Sequence, residues 1–310
     1  MRVLFWGTPA FAAPALGALL GEGFEVCGVV SQPDKPVGRS RSTTVASPVA
    51  ELARRETLPL FQPEKLNDAE FLELMEVMSP DISVVVAYGK LLPQRLIDLP
   101  RLGTINIHAS LLPRLRGASP IQAAIREGHT QTGITIMRMV RQLDAGPIIL
   151  QHPTPIADDE TGGELQARLS ELGAAAMIAA LALIDQGQAE ERPQDESLAT
   201  YAGKIDRAAA KIDWTAEAPI VARHIRAYDP VPGAHTTLNG AMVKLFGARE
   251  AGAGCASPGE VLDIDGAGML ISCGRGSIRV TEAHPEGRKR LDALTWSRGR
   301  GVAVGARFGL

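Results

Sequence analysis

Residues 82–89 read ISVVVAYG: eight residues without a charge, mostly apolar and β-branched. Such a run has no polar side to turn toward water. Both of its faces must be covered, as in a parallel strand sandwiched between layers of helix. Residues 2–7, 24–31, 102–108 and 133–139 supply further strand patterns. Helical patterns separate most of them, at 48–56, 68–78 and 120–127 and in a stretch ending near Leu20. Strands alternating with helices predict an α/β, doubly wound, mostly parallel sheet.

The texture then changes. Residues 162–185 form a long helical pattern rich in Ala and Leu, and 186–197 are polar and read as a linker. A helix is expected over 218–228, followed by short strands with turn signals. Asn239-Gly240 between two apolar–polar alternations predicts a hairpin, and strands at 261–264, 269–273 and 278–281 extend it toward a small antiparallel barrel. The expected division is a first domain over 1–188, a linker over 189–206 and a second domain over 207–310. Charge divides unevenly too. Residues 204–310 hold 15 Lys/Arg and 11 Asp/Glu, a net of +4, which leaves −7 on the other 203 residues. A basic final third on an acidic body is a weak pointer to a polyanion, and a solvated surface of random charge explains it as well.

Several classes are not signalled. No G-x-G-x-x-G follows the first strand, no G-x-x-x-x-G-K-[ST] occurs, and no G-x-S-x-G elbow exists. The six histidines are scattered, and Cys27, Cys255 and Cys273 lie far apart, so neither a metal site nor a disulfide framework is expected. Three such cysteines suit a reducing cytoplasm. No apolar run reaches the roughly 18 residues of a membrane span, and the N-terminus reads as a first buried strand rather than a signal peptide.

The segment TINIHASLLPRLRGASPI, residues 104–121, carries the chemistry. Asn106 and His108 are two apart on a strand, so they share a face, while Ile105 and Ile107 face the other way. Two polar groups at the C-terminal end of a buried parallel strand are costly unless bonded or used, and ligands of open α/β sheets bind at that end. Ser110, Leu111, Leu112 and Pro113 follow as a stiff apolar loop suited to walling a flat ligand. Asp144, before Gly146-Pro147, is by itself a turn residue.

With GTPAFA at 7–12, SQPDKPVGR at 31–39, VVVAYGKLLP at 84–93, LDAGPI at 143–148 and KIDW at 211–214, this segment resembles the folate-dependent formyltransferases, over nearly the whole chain. The core of that family carries Asn, His and Asp in this order, the His in a strand leading into SLLP. The resemblance implies a Rossmann-like first domain and a C-terminal OB-like β-barrel. It implies an enzyme that moves a formyl group from 10-formyltetrahydrofolate to an amine without a metal. Asn106 and His108 would stabilise the developing oxyanion, and Asp144 would assist proton transfer.

The folate slot would be lined by Tyr88, Lys90, Leu91 and Leu92 together with Ser110, Leu111, Leu112 and Pro113. The QPDKPVGR loop, Ser47-Pro48-Val49 and KIDW resemble the members that act on initiator methionyl-tRNA for translation initiation. In those members Lys35, Arg39 and Arg41, and the barrel's Arg288, Lys289 and Arg290, would meet the RNA, although this loop is less basic than the lysine-rich versions of the family. A formyltransferase for a sugar-nucleotide amine, or a formyl-folate hydrolase, would share Asn106, His108 and Asp144.

Overall fold

A computed structural model describes residues 1–37, 43–252, 254 and 256–309. The chain divides into two compact units. The first holds residues 1–117, 132–154 and 166–201; the second holds 118–131, 155–165 and 202–310.

The first unit is built on seven strands: β1 (Arg2–Gly7), β2 (Glu25–Val30), β3 (Leu60–Phe61), β4 (Ile82–Val86), β5 (Thr104–His108), β6 (Gln131–Arg138) and β7 (Ile148–Pro155). Their order across the sheet is β7-β6-β5-β4-β1-β2-β3. From β5 to β3 every pairing is parallel; β6 runs antiparallel to β5. The chain first extends the sheet from β1 to one side through β2 and β3. It then crosses back to β4 on the other side, which makes the junction of β1 and β4 a switch point, where ligands of such sheets bind at the C-terminal strand ends.

The apolar run at residues 82–89 leaves the sheet earlier than its composition implies. β4 ends at Val86, and Ala87 adopts a left-handed conformation with φ 46°. Tyr88 nonetheless stays in the core, edge-on to Trp6 at 5.4 Å, and Phe71 meets Trp6 edge-on at 6.2 Å.

The long helix α1 (Gly162–Asp185) covers one face of β5 and β6. An added Cβ on its Gly173 would stand 3.0 Å from Ile107 and 3.5 Å from Ile134, so the absence of a side chain lets helix and sheet approach closely. By length and composition this helix could cross a membrane, but half of its most apolar window is buried. Buried Leu169, Met177, Leu181 and Ile184 fall on one stripe, and charged Arg168, Glu171 and Asp185 lie outside it. That is the pattern of a core helix.

Residues 186–197, expected as a linker, are bonded into the first unit. Arg192 pairs with Ile148, and the side chain of Gln194 reaches Arg116, Asp144 and Gly146.

In the second unit, β8 (Ala234–Leu238), β9 (Ala241–Glu250), β10 (Val261–Asp265), β11 (Gly268–Ser272) and β12 (Ser277–Pro285) form an antiparallel sheet in the order β8-β9-β12-β11-β10. The hairpin turn is at Asn239 and Gly240, with φ 51° and 78°, as a two-residue turn with both central residues left-handed requires. The C-terminal segment bridges the two edges. Gly305 N donates to Val261 O, Val261 N donates to Ala306 O, and Gly309 N donates to Thr237 O. Its Phe308 stacks between Trp214 and Trp296, at 5.8 and 6.3 Å.

His224, on the helix α2 (Ala218–Ala227), sits edge-on to Tyr228 at 4.9 Å. Burial, opposed by backbone hydrogen bonding and reinforced by the charges of Arg126 and His235, holds its imidazole below the ordinary value. Burial and neighbouring cations do the same to His235. The unfolded chain therefore binds more protons than the native one once the pH falls below about 6.5. Stability from keeping these rings neutral is intact above that value and is lost as the pH falls through it. The melting temperature should drop between about pH 7.5 and pH 5.5, and His224→Gln should shrink that drop; equal drops in wild type and variant would assign the effect elsewhere.

Candidate active site

β5 delivers two polar side chains to the face opposite α1. Ile105 and Ile107 are buried on the helix side; Asn106 is half-buried and His108 nearly fully buried. Asn106 stands across from Val85 and Met137, and His108 across from Thr135. Among the described residues no side-chain hydrogen bond engages the half-buried Asn106 amide.

The loop after β5 is held at nearly every turn. Thr135 Oγ1 donates to Ser110 O at 2.6 Å and accepts from Leu112 N at 3.1 Å. Gln151 Nε2 donates to Leu112 O at 2.9 Å and to Thr135 Oγ1 at 3.1 Å. Ser110 Oγ donates to Arg114 O at 2.6 Å. Leu115 takes a left-handed conformation, φ 59°, and its N–H donates to Thr200 Oγ1 at 2.9 Å.

That turn aims the Leu115 carbonyl at His108 Nε2, 2.9 Å away. A carbonyl only accepts, so Nε2 carries the hydrogen. Nδ1 then faces Asp144 Oδ2 at 3.7 Å, with side-chain exposures of 7% for His108 and 13% for Asp144. The separation is too long for a hydrogen bond but short for a charge interaction in a nearly dry site. Asp144 Oδ2 also accepts from Gly117 N at 2.7 Å, and Asp144 is itself left-handed at φ 50°. The structure thus brings His108 and Asp144 together, and the strand that carries His108 also presents Asn106.

The remaining expected residues differ in burial. Ser110 and Leu112 are buried, with Leu111 and Pro113 half-buried beside them. The Tyr88 ring belongs to the core, where burial pushes its phenol up to about 12; among the described residues its hydroxyl has no hydrogen-bond partner, while its carbonyl accepts from Thr8 Oγ1 and Gln32 Nε2. Lys90 and Leu91 are exposed, Leu92 is buried, and Lys90 Nζ donates to Glu64 O at 2.8 Å. Lys35 is exposed in the short strand Lys35–Val37; Arg39 and Arg41 lie outside the described residues. Arg288 and Lys289 are exposed. Arg290 is engaged: it pairs with Glu282, reaches Asp229 Oδ1 at 3.2 Å and lies 4.0 Å over the Phe246 ring.

Residues 1–181 match the family described as Formyl transferase, and 204–301 match Formyl transferase, C-terminal domain. A methionyl-tRNA formyltransferase of Aromatoleum aromaticum is 45% identical over 308 residues, covering 99% of this chain and 97% of its own. One from Thiobacillus denitrificans is 45% identical over 311 residues, covering all of both chains. The chain belongs to the methionyl-tRNA formyltransferase family. More distant likenesses show the same fold. HypX from Aquifex aeolicus, solved with tetrahydrofolic acid, superposes with a TM-score of 0.65 at 20% identity over 95% of this chain, which spans about half of the HypX length (46%). An N-formyltransferase from Helicobacter canadensis, solved with folinic acid and dTDP-3-aminofucose, gives 0.68 at 17% identity, over 90% of this chain and 98% of its own.

Within this member of the family, four supporting residues carry no signal in the sequence. Thr135 and Gln151 lie on β6 and β7, which pattern as ordinary strands, and Gln194 sits in a polar stretch. Arg116 adjoins the loop but looks like any surface arginine until its complete burial is seen. Gly146 has a plainer signature, since it precedes Pro147 in the Asp144 turn. A Cβ there would stand 1.8 Å from Arg138 O, a backbone atom that cannot swing away. Gly146→Ala should therefore cost about 1–3 kcal/mol in urea unfolding and slow formyl transfer as the turn shifts; an unperturbed variant would mean the turn relaxes freely.

Proposed function

We propose that this enzyme transfers the formyl group of 10-formyltetrahydrofolate to the free amino group of initiator methionyl-tRNA, in the cytoplasm, for translation initiation. What carries the reading is the meeting of His108 with Asp144, with Asn106 two residues away on the same strand as His108, supported by full-length identity of 45% to relatives of that name. The first unit, which includes 189–201 of the expected linker, would hold the chemistry, and the second, with 207–310, the RNA.

The neutral amine attacks the formyl carbon, and a new C–N bond forms as charge gathers on the formyl oxygen. The Asn106 amide donates to that oxygen. His108 can donate only from Nδ1, because Nε2–H is committed to Leu115 O. Donation from Nδ1 therefore requires the imidazolium form, and the Asp144 carboxylate 3.7 Å away stabilises its charge. The proton released by the amine passes to Asp144 through a water, and from there to the folate nitrogen as the old C–N bond breaks. Leu111, Leu112 and Pro113 would wall the pterin side, with backbone groups of 88–92 at its edge. Lys35, Arg39, Arg41, Arg288 and Lys289 would contact RNA.

His108→Ala and Asp144→Asn should each lower the single-turnover rate, the former on the order of 10²–10³-fold, while reduced folate still binds. Turnover at the wild-type rate in either variant would remove that residue from the mechanism. Offering an amino-sugar nucleotide as acceptor in the same assay separates the tRNA reading from its nearest rival.

Affinity for charged initiator tRNA should fall steeply with salt, because binding releases counterions. Neutralising Arg288 and Lys289 together should flatten the log–log slope by about 1.5. An unchanged slope would place the RNA elsewhere.

A further inference from the structure

Behind the Asp144 turn lies a polar network in which every hydrogen-bonding position of one side chain is occupied. Gln194 Nε2 donates to Asp144 O and to Gly146 O, both at 2.8 Å. Its Oε1 accepts from Arg116 Nε at 3.1 Å and Nη2 at 2.8 Å. Two donors meet two carbonyls, and two lone pairs meet two guanidinium hydrogens, which uses the full capacity of a primary amide. The orientation cannot be reversed. A flipped amide would set its oxygen against two carbonyl oxygens and its NH₂ against a cation.

The anchor is itself rigid. The Arg116 side chain is 0% exposed and forms a two-pronged pair with Glu196, Nη1 to Oε2 at 2.9 Å and Nη2 to Oε1 at 2.7 Å. Its neighbour Gly117 donates its N–H to Asp144 Oδ2 at 2.7 Å. One short stretch of chain thus grips the Asp144 carboxylate directly, through Gly117, and the Asp144 backbone indirectly, through Arg116 and Gln194. Asp144 is left-handed without being glycine, a conformation that persists when its surroundings over-determine it. Gln194 is half-buried between exposed neighbours, so its burial serves this contact rather than the packing of its own segment.

We propose that Gln194, locked by Arg116, is a positioning residue for Asp144: it fixes the left-handed turn that holds the carboxylate facing His108. This rests on the reading of Asp144 as the proton-transfer group. Gln194 need not touch folate or RNA; it acts by holding the Asp144 carboxylate where it can take the amine proton and still face His108.

The test uses the full-length enzyme with Gln194→Glu and Gln194→Met, each alone and combined with Asp144→Asn. Glu keeps the shape and the contact to Arg116 but turns oxygen toward two carbonyls; Met keeps the volume and removes all four bonds. Both sit in an exposed segment, and melting temperature reports folding. The expected result is a loss of about 10- to 100-fold in the single-turnover rate of formyl transfer. The reduced-folate dissociation constant should stay within about twofold, and the pH dependence of kcat/KM should be displaced. In the Asp144→Asn background, the Gln194 substitutions should add no further loss.

The proposal is overturned if Asp144→Asn is slow while both Gln194 variants run at the wild-type rate. Full additivity of the two losses, or rate and folate affinity falling in step with melting temperature, overturns it too. If instead Asp144→Asn is as fast as wild type, the reading of Asp144 itself fails and there is nothing for Gln194 to position.

Discussion

The hydrogen bond between His108 Nε2 and the Leu115 carbonyl decides what the rest of the site can do. It exists because Leu115 is left-handed and because Thr200 takes up the N–H that the turn would otherwise orphan. Once Nε2 is committed as a donor, all variable chemistry of the ring passes to Nδ1, on the side where Asp144 stands. A loop conformation seven residues downstream of the strand end therefore fixes the tautomer of a residue on the strand. The same loop, through Gly117, holds the carboxylate that faces it. Ring and carboxylate are thus both held by one piece of backbone, at Leu115 and at Gly117.

That arrangement is costly in polar burial, and the structure offsets the cost by closing each network. A buried donor or acceptor without a partner costs about 1–3 kcal/mol. Around the loop, Thr135 Oγ1 donates once and accepts twice, and Gln151 ties the same hydroxyl to Leu112 O. The Asn106 amide is the contrast, half-buried and without a side-chain bond among the described residues. Next to so many completed networks, that amide is the group the proposed reaction uses as an oxyanion donor.

Much of the sheet is legible in the sequence because hydrophobic pattern reports burial directly. The runs at β1, β4 and β5, and the Asn239-Gly240 hairpin, follow from residue type and spacing alone. Pattern reports neither direction nor chain path. β6 is visible as a strand, but nothing in it shows that it runs antiparallel to β5. Tyr88 is apolar in the same run as β4, yet it reaches the core by a left-handed step at Ala87 rather than by continuing the strand. Of the site, Asn106 and His108 are legible because polar side chains at the end of a buried strand demand an explanation. Asp144 is legible only as a turn residue or through the family. Gln194 is not legible at all, since its role comes from contacts 48 and 50 residues away along the chain, to Gly146 and Asp144, that no local pattern encodes.

Charge shows the same gap between a stretch of sequence and a folded unit. Residues 204–310 carry a net of +4, but the compact second unit also contains 118–131 and 155–165. The first addition brings Arg126 and Glu127, which cancel; the second brings Asp158, Asp159, Glu160 and Glu164, which remove all four positive charges. The unit is formally neutral with its histidines uncharged. Several of its arginines are also paired within it, Arg249 with Asp159, Arg279 with Asp265 and Arg290 with Glu282. Net charge therefore gives this unit no pull on a polyanion. Any attraction must come from cations that stand exposed and close together, as Arg288 and Lys289 do on the turn after β12. The salt dependence of phosphate binding counts contacts made rather than total charge, so a neutral unit with two such cations can still grip a phosphate backbone locally while being blind to polyanions at long range.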